Sequence, residues 1–432
     1  MTMTPQYATA EADRCLSCFD APCREACPTH IDIPTFIAMI KSRNVRGAAE
    51  VVKSSNALAN VCGKICPEEV FCQASCTRAK QDSPIAIREL HFFATQHEAR
   101  AGYSRRLPAP SPDATAAVIG AGPAGLACAF ELSKLGVAVT LFDGRAAGGV
   151  PRHSIPTFRL AERELLDDLD FLAGAFTLRA ENVTPAVFSG IRKEFDAVFL
   201  GVGLGLDRAI GLRGEDLAGV HPVLRFLEAA KLGTMRVGRR VLIVGGGNVS
   251  LDAAATAKRL GAEEVTLLYR RSEAEMKVWK SELEEARRQG VEIRFLTVPV
   301  RITGEKAVTG LVCRRTALSA ERDASGRPVP VEVPGSEFTL PAECLVVAVG
   351  QVVGTEIARG LASDHKGYIA VDAELRTSDP KVFAGGDAVG GEGTIVGSVA
   401  HGKRAARAMR AHIDAVRGAA RPPSSTSNEG RA

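Results

Sequence analysis

The 432-residue sequence has no run of lysines or arginines that could track a phosphate backbone, and its net charge of +4 is spread among 54 basic and 50 acidic residues. That balance argues against nucleic acid as a partner. It has no stretch approaching the roughly 18 uninterrupted apolar residues of a membrane span. The apolar runs near 117, 241 and 345 are short and end at glycine, so no membrane insertion is expected. Met1–Arg14 lacks the basic start and apolar centre of a signal peptide, and a soluble, cytoplasmic protein is expected. No Cys-x-x-Cys follows Gly120, which removes the thiol pair that a thioredoxin-reductase type of disulfide exchange with a flavin would need. Nor does any pair of side chains stand out as an acid and base for substrate chemistry.

Cysteine is concentrated at one end. Eight of the eleven fall within the first 76 residues, leaving Cys128, Cys313 and Cys344 isolated in apolar patterns where they read as small core residues. The first run, Cys15-x2-Cys18-x4-Cys23-x3-Cys27-Pro28, resembles a ferredoxin ligand run, and the second is Cys62-x3-Cys66-x5-Cys72-x3-Cys76. Iron–sulfur cubes need four soft, deprotonated donors each, and two runs of this size suit two [4Fe–4S] clusters that share ligands across a domain. Structural zinc remains an alternative, while disulfides suit a reducing compartment poorly. The proline-rich stretch from Gly102 to Asp113 reads as a linker closing this region.

Downstream, two strand–glycine–helix units follow. Ala117-Val118-Ile119 leads into Gly120-Ala121-Gly122-Pro123-Ala124-Gly125 and an apolar helix, and the next strand ends at Asp143. Small residues let a dinucleotide pyrophosphate meet the helix N-terminus, and the carboxylate accepts from ribose hydroxyls. Thr377–Asp387, with Gly386 and Asp387 at its end, resembles the second FAD motif of two-dinucleotide flavoproteins, so the first unit is assigned to FAD. The second unit runs Val241–Val244, then Gly245-Gly246-Gly247-Asn248-Val249-Ser250. Its following strand ends in Arg270-Arg271 instead of a carboxylate, which suits the 2′-phosphate of NADPH, with NADH the other possibility; Lys277 adds charge nearby.

These motifs, in this order, resemble the glutamate synthase small-subunit family across residues 11 to 412. The words Asp20-Ala21-Pro22-Cys23, Ala26-Cys27-Pro28-Thr29-His30-Ile31-Asp32 and Pro84-Ile85-Ala86-Ile87 look most like its dihydropyrimidine dehydrogenase members. The resemblance implies a first cluster on Cys15, Cys18, Cys23 and Cys76 and a second on Cys27, Cys66 and Cys72 with one further ligand. Relatives use glutamine or a carboxylate there; this sequence has His91, with Cys62 as the competing donor. The resemblance also implies FAD contacts from Gly148, Gly149, Val150, Arg159, Thr394 and Ile395.

The fold class expected is α/β: an N-terminal α-helical iron–sulfur domain (1–105) followed by two Rossmann-like dinucleotide-binding domains, the NAD(P)H domain (213–344) inserted in the FAD domain (114–212 and 345–415), with a disordered tail over 418–432. The activity implied is that of an electron-input flavoprotein, passing electrons from NADPH through FAD and two [4Fe–4S] clusters in a hetero-oligomer. An FMN-bearing catalytic partner subunit of the pyrimidine-reducing type is expected, with glutamate synthase or another oxidoreductase as the alternative.

Overall fold

The computed structural model describes residues 3–101 and 111–420. The linker expected over 102–113 falls largely outside these residues, and so does the tail beyond 420. The last helix, Ile395–Ala420, runs through the start of that expected tail.

The chain divides into two compact units, one formed by residues 1–149, 163–203 and 354–432, the other by 150–162 and 204–353. In the first unit, the helices Pro5–Asp13, Ile33–Lys41 and Val45–Ser55 each begin at a polar residue whose side chain accepts from a backbone N–H of the first turn: Thr4 from Tyr7, Asp32 from Thr35 and Asn44 from Gly47. Each such cap is worth about 1 kcal/mol. With Ile87–Ala101 these helices bury Phe36, Ile37, Ile40, Val52 and Leu90. The helix Ala59–Ile65 differs, because Leu58 at its start offers no capping side chain.

The same unit holds a five-stranded sheet in the order Val382–Ala384, Ala197–Leu200, Ser111–Ile119, Val137–Asp143, Thr177–Ala180, with every pair parallel. Its middle strands are apolar on both faces, as a sheet covered by helices requires. Helices Pro123–Lys134 and Ile395–Ala420 pack closely. A Cβ at Gly402 would stand 2.1 Å from the Ala124 carbonyl oxygen, so only glycine permits this approach.

The second unit contains its own parallel five-stranded sheet, ordered Val220–Pro222, Cys344–Ala348, Arg240–Gly245, Glu264–Leu268, Val291–Arg294. It adds an antiparallel sheet from Thr297–Gly304, Val308–Arg322, Pro328–Glu332 and Phe338–Pro341, which periodicity alone did not announce. Cys128, Cys313 and Cys344 are buried in their helix and strands.

The units are cut differently from the four expected folded segments. The cysteine-rich region shares a unit with the FAD-fingerprint sheet. Residues 150–162 join the second unit because their polar groups are held there: the Lys231 ammonium donates to the Pro151 and Ile155 carbonyls at 3.0 and 2.9 Å, and Arg159 pairs with Asp252 and Glu282.

Candidate cofactor sites

Cys15, Cys18, Cys23 and Cys76 line one pocket together with Ile33, Ile37, Ile85 and Ile87. Burial and the neighbouring thiols together push the Cys23 thiol up to about 12, and Cys15 is raised by burial and by Cys18 and Cys76. The Ile85 N–H lies 3.5 Å from the Cys76 sulfur, within reach as a donor. Cys76 belongs to the second run in sequence but to the first group in space.

The other group is Cys27, Cys62, Cys66 and Cys72. Burial raises Cys62 to about 12 and lifts Cys66 and Cys72 well above the usual thiol range, and Cys27 acts on all three. Such thiols stay protonated until a metal displaces the protons. No three His, Cys, Asp or Glu side chains among the described residues converge on a single ion.

His91, on the Ile87–Ala101 helix, is 7% exposed. Its ring meets the Ala59 backbone, and burial lowers it to about 4, so it is a neutral imidazole. Nε2 is buried without a hydrogen-bond partner among the described residues. An unprotonated ring nitrogen left free in a buried site, its ring held by a backbone group, suits an iron ligand. The cysteine groups therefore fit two clusters, with His91 and Cys62 as the candidate fourth donors of the second.

The FAD fingerprint forms the turn its composition dictates. Gly120 has φ +99°, and a Cβ at Gly125 would fall 1.8 Å from the Gly120 carbonyl oxygen. Pro123 opens the helix, with Ala124 behind it and Gly122 at the cap position. Gly149, at φ +59°, comes so close to Gly122 that a Cβ on it would lie 2.7 Å from the Gly122 Cα. The Asp143 carboxylate accepts from the Ala121 N–H at 2.7 Å and the Arg145 N–H at 2.8 Å, so it sits directly beneath the turn. At the second motif, the Gly386 N–H donates to His401 Nδ1 at 3.2 Å, and burial raises the Asp387 carboxyl. The Thr394 hydroxyl accepts from the Gly397 N–H and closes the first turn of the helix starting at Ile395. His401 was not anticipated from the sequence; no motif spacing points to it. The structure brings these residues into one unit, whereas Val150 and Arg159 belong to the other, where Arg159 is committed to Asp252 and Glu282.

In the second unit, Gly245 ends a strand, Gly246 packs under the Tyr269 ring and Gly247 precedes the helix Asn248–Arg259. The Asn248 side chain accepts from the Trp279 N–H at 3.1 Å. The two arginines separate. Arg271, expected beside Arg270 at a phosphate, is 2% exposed and donates to the Pro328 carbonyl and the Asp323 carboxylate. Arg270 is exposed, and partial desolvation together with Arg271 and Arg327 lowers its pKa. A cation in that setting favours an anionic ligand. Lys277 is exposed, its backbone bridged to Gly247.

Residues 114–408 match the family model described as pyridine nucleotide-disulphide oxidoreductase, and residues 1–103 match dihydropyrimidine dehydrogenase domain II, 4Fe–4S cluster. The chain is 34% identical to the glutamate synthase [NADPH] small chain of Halomonas elongata, covering 95% of this chain and 92% of that one. It is also 34% identical to the NAD-dependent dihydropyrimidine dehydrogenase subunit PreT of Salmonella typhimurium, over 95% of each. With the NADP(+)-dependent formate dehydrogenase subunit beta of Moorella thermoacetica it shares 36% identity over 89% of its length but spans only 59% of that protein. Among solved structures, FprA of Mycobacterium tuberculosis in complex with NADPH shares the fold at TM-score 0.62 and 20% identity, covering 71% of this chain and 86% of that one.

Proposed function

The chain belongs to the pyridine nucleotide-disulphide oxidoreductase family, in the branch that includes glutamate synthase small chains and dihydropyrimidine dehydrogenase flavin subunits, and from that premise we propose that it is the electron-input subunit of a pyrimidine-reducing dehydrogenase. It is an NAD(P)H-dependent FAD oxidoreductase with an N-terminal 4Fe–4S domain. The observation that carries the reading is that two groups of cluster donors lie in the same compact unit as the FAD turn.

When bound, FAD accepts hydride from the nicotinamide and iron–sulfur clusters take electrons one at a time. The chain's residues position these groups. The Gly120–Gly125 turn receives the FAD pyrophosphate, Asp143 its ribose and Asp387 its ribityl chain. Gly245–Gly247 with Asn248 receive the nicotinamide dinucleotide, and Arg270 meets a 2′-phosphate. Cys15, Cys18, Cys23 and Cys76 hold the first cluster; Cys27, Cys66, Cys72 and His91 hold the second. The first group is partly exposed, and Phe19, between Cys18 and Cys23, is 100% exposed, so a partner takes electrons there.

The words around Cys23, Cys27 and Pro84 support a pyrimidine-reducing, FMN-bearing partner. The near-complete span of glutamate synthase small chains supports the second reading, a glutamate synthase small subunit. Iron, acid-labile sulfide and visible spectra of anaerobically purified protein test the cofactors: about eight iron and eight sulfide per chain with flavin bands are expected, and zinc without sulfide overturns the onward electron path. The co-purified partner tests the rest. NADPH oxidation dependent on uracil supports the first reading, and oxidation dependent on glutamine plus 2-oxoglutarate replaces it with the second.

A further inference from the structure

We propose that Asp168 and Lys403, both from the flavin-binding part of the first unit, clamp the segments bearing the second cysteine group and shift the potential of the cluster there in opposite directions. The inference rests on the reading of that group as a cluster site.

Asp168 lies on the helix Glu162–Phe171 and is 0% exposed. Its carboxylate accepts from the Asn60 N–H at 2.9 Å, the Asn60 side-chain amide at 3.0 Å and the Val61 N–H at 2.9 Å. These are first-turn donors of the Ala59–Ile65 helix, which carries Cys62 and ends at Cys66. The cap that Leu58 cannot provide thus comes from more than a hundred residues away in sequence. Phe171, on the same helix as Asp168, lies under the Lys53 ammonium at 4.4 Å.

Lys403 lies on the helix Ile395–Ala420. Its ammonium donates to the Thr29 carbonyl and to the Ser55 carbonyl, each at 3.1 Å. Thr29 is buried, and its hydroxyl lies 3.3 Å from the Cys27 sulfur. Ser55 is the last residue of the Val45–Ser55 helix, where an orphan carbonyl welcomes a cation. The Asp168 carboxyl, an anion at pH above its raised value of about 7, therefore fixes the Cys62–Cys66 helix, and the Lys403 cation fixes the Cys27 loop, so the potentials are compared at a pH above that value. In a buried site charges are weakly screened, so an anion disfavours the electron a cluster receives and a cation favours it.

The test is an anaerobic redox titration of the cluster-loaded full chain, followed by electron paramagnetic resonance, in wild type, Asp168→Asn and Lys403→Met. Asp168→Asn is expected to move the second cluster to a more positive potential and Lys403→Met to a more negative one. The first cluster holds its potential, and flavin reduction by NADPH stays within about twofold. Shifts of the same sign, no shift, or an equal shift of the first cluster overturn the proposal; general loosening would not separate the signs. Amide exchange of Asn60 and Val61 gives a second readout, expected to rise about tenfold or more in Asp168→Asn, and unchanged exchange removes the clamp. If Asp168→Asn does not fold, Lys403→Met decides alone, and a zero or positive shift overturns the idea. Wild-type protein without iron and sulfide sinks the cluster reading itself, whereas loaded protein without opposed shifts sinks only this inference.

Discussion

Arg271 donates through Nε and Nη2 to the Pro328 carbonyl and the Asp323 carboxylate, so in the proposed function it is Arg270 that would meet a nucleotide phosphate. A charge-assisted contact is worth about 1.5–3 kcal/mol, so Arg270→Ala is expected to raise KM for NADPH about 10–100-fold with little change for NADH. Arg271→Ala should instead lower thermal stability by about 2 kcal/mol, because it removes a buried guanidinium that donates to the Pro328 carbonyl and the Asp323 carboxylate, while the ratio of NADPH to NADH efficiency holds. Steady-state kinetics with both nucleotides separates the two, and an equal effect of Arg270→Ala on NADPH and NADH would defeat the assignment. His91 and Cys62 are distinguished in the same way. The orphaned Nε2 of His91 predicts that His91→Ala changes the paramagnetic signal or iron content of the second cluster, and that Cys62→Ser leaves both intact. The reverse outcome would make Cys62 the ligand.

At the scale of elements, the helices that start at Thr4, Asp32 and Asn44 carry their own caps, so their beginnings are written locally. The Ala59–Ile65 helix has no such signal and borrows Asp168, whose carboxyl is pushed up to about 7, chiefly by burial. The crossing of Pro123–Lys134 with Ile395–Ala420 depends on a missing side chain. Gly402→Ala would bring a Cβ against the Ala124 carbonyl and the Cys128 amide, both backbone atoms that cannot turn aside. A loss of about 1–3 kcal/mol is expected, with faster flavin release as the helix behind the FAD turn is displaced. Thermal denaturation and flavin fluorescence on dilution measure the two, and a fully stable, flavin-retaining variant would show that the helices can shift.

Across the whole molecule, the electron route we propose would meet its partner at the exposed Phe19. Phe19→Ala should leave NADPH-driven reduction of a small artificial oxidant unchanged while raising KM for the partner subunit about tenfold, the cost of removing a central aromatic anchor. An unchanged KM would move the docking surface elsewhere. The sequence by itself determined the α/β class, the order of the cofactor regions and the FAD and nicotinamide turns. Those features are short and contiguous, and they depend on glycine, small residues and a strand-ending charge more than on distant packing. Cys15, Cys18 and Cys23 are local for the same reason. The tertiary structure alone decided that Arg270 and Arg271 part company, that residues 150–162 are held in the second unit and that Asp168 caps a helix far from it in sequence. Each of these turns on which polar group finds a partner once the chain is buried, and that choice is made by long-range packing instead of by neighbours in sequence.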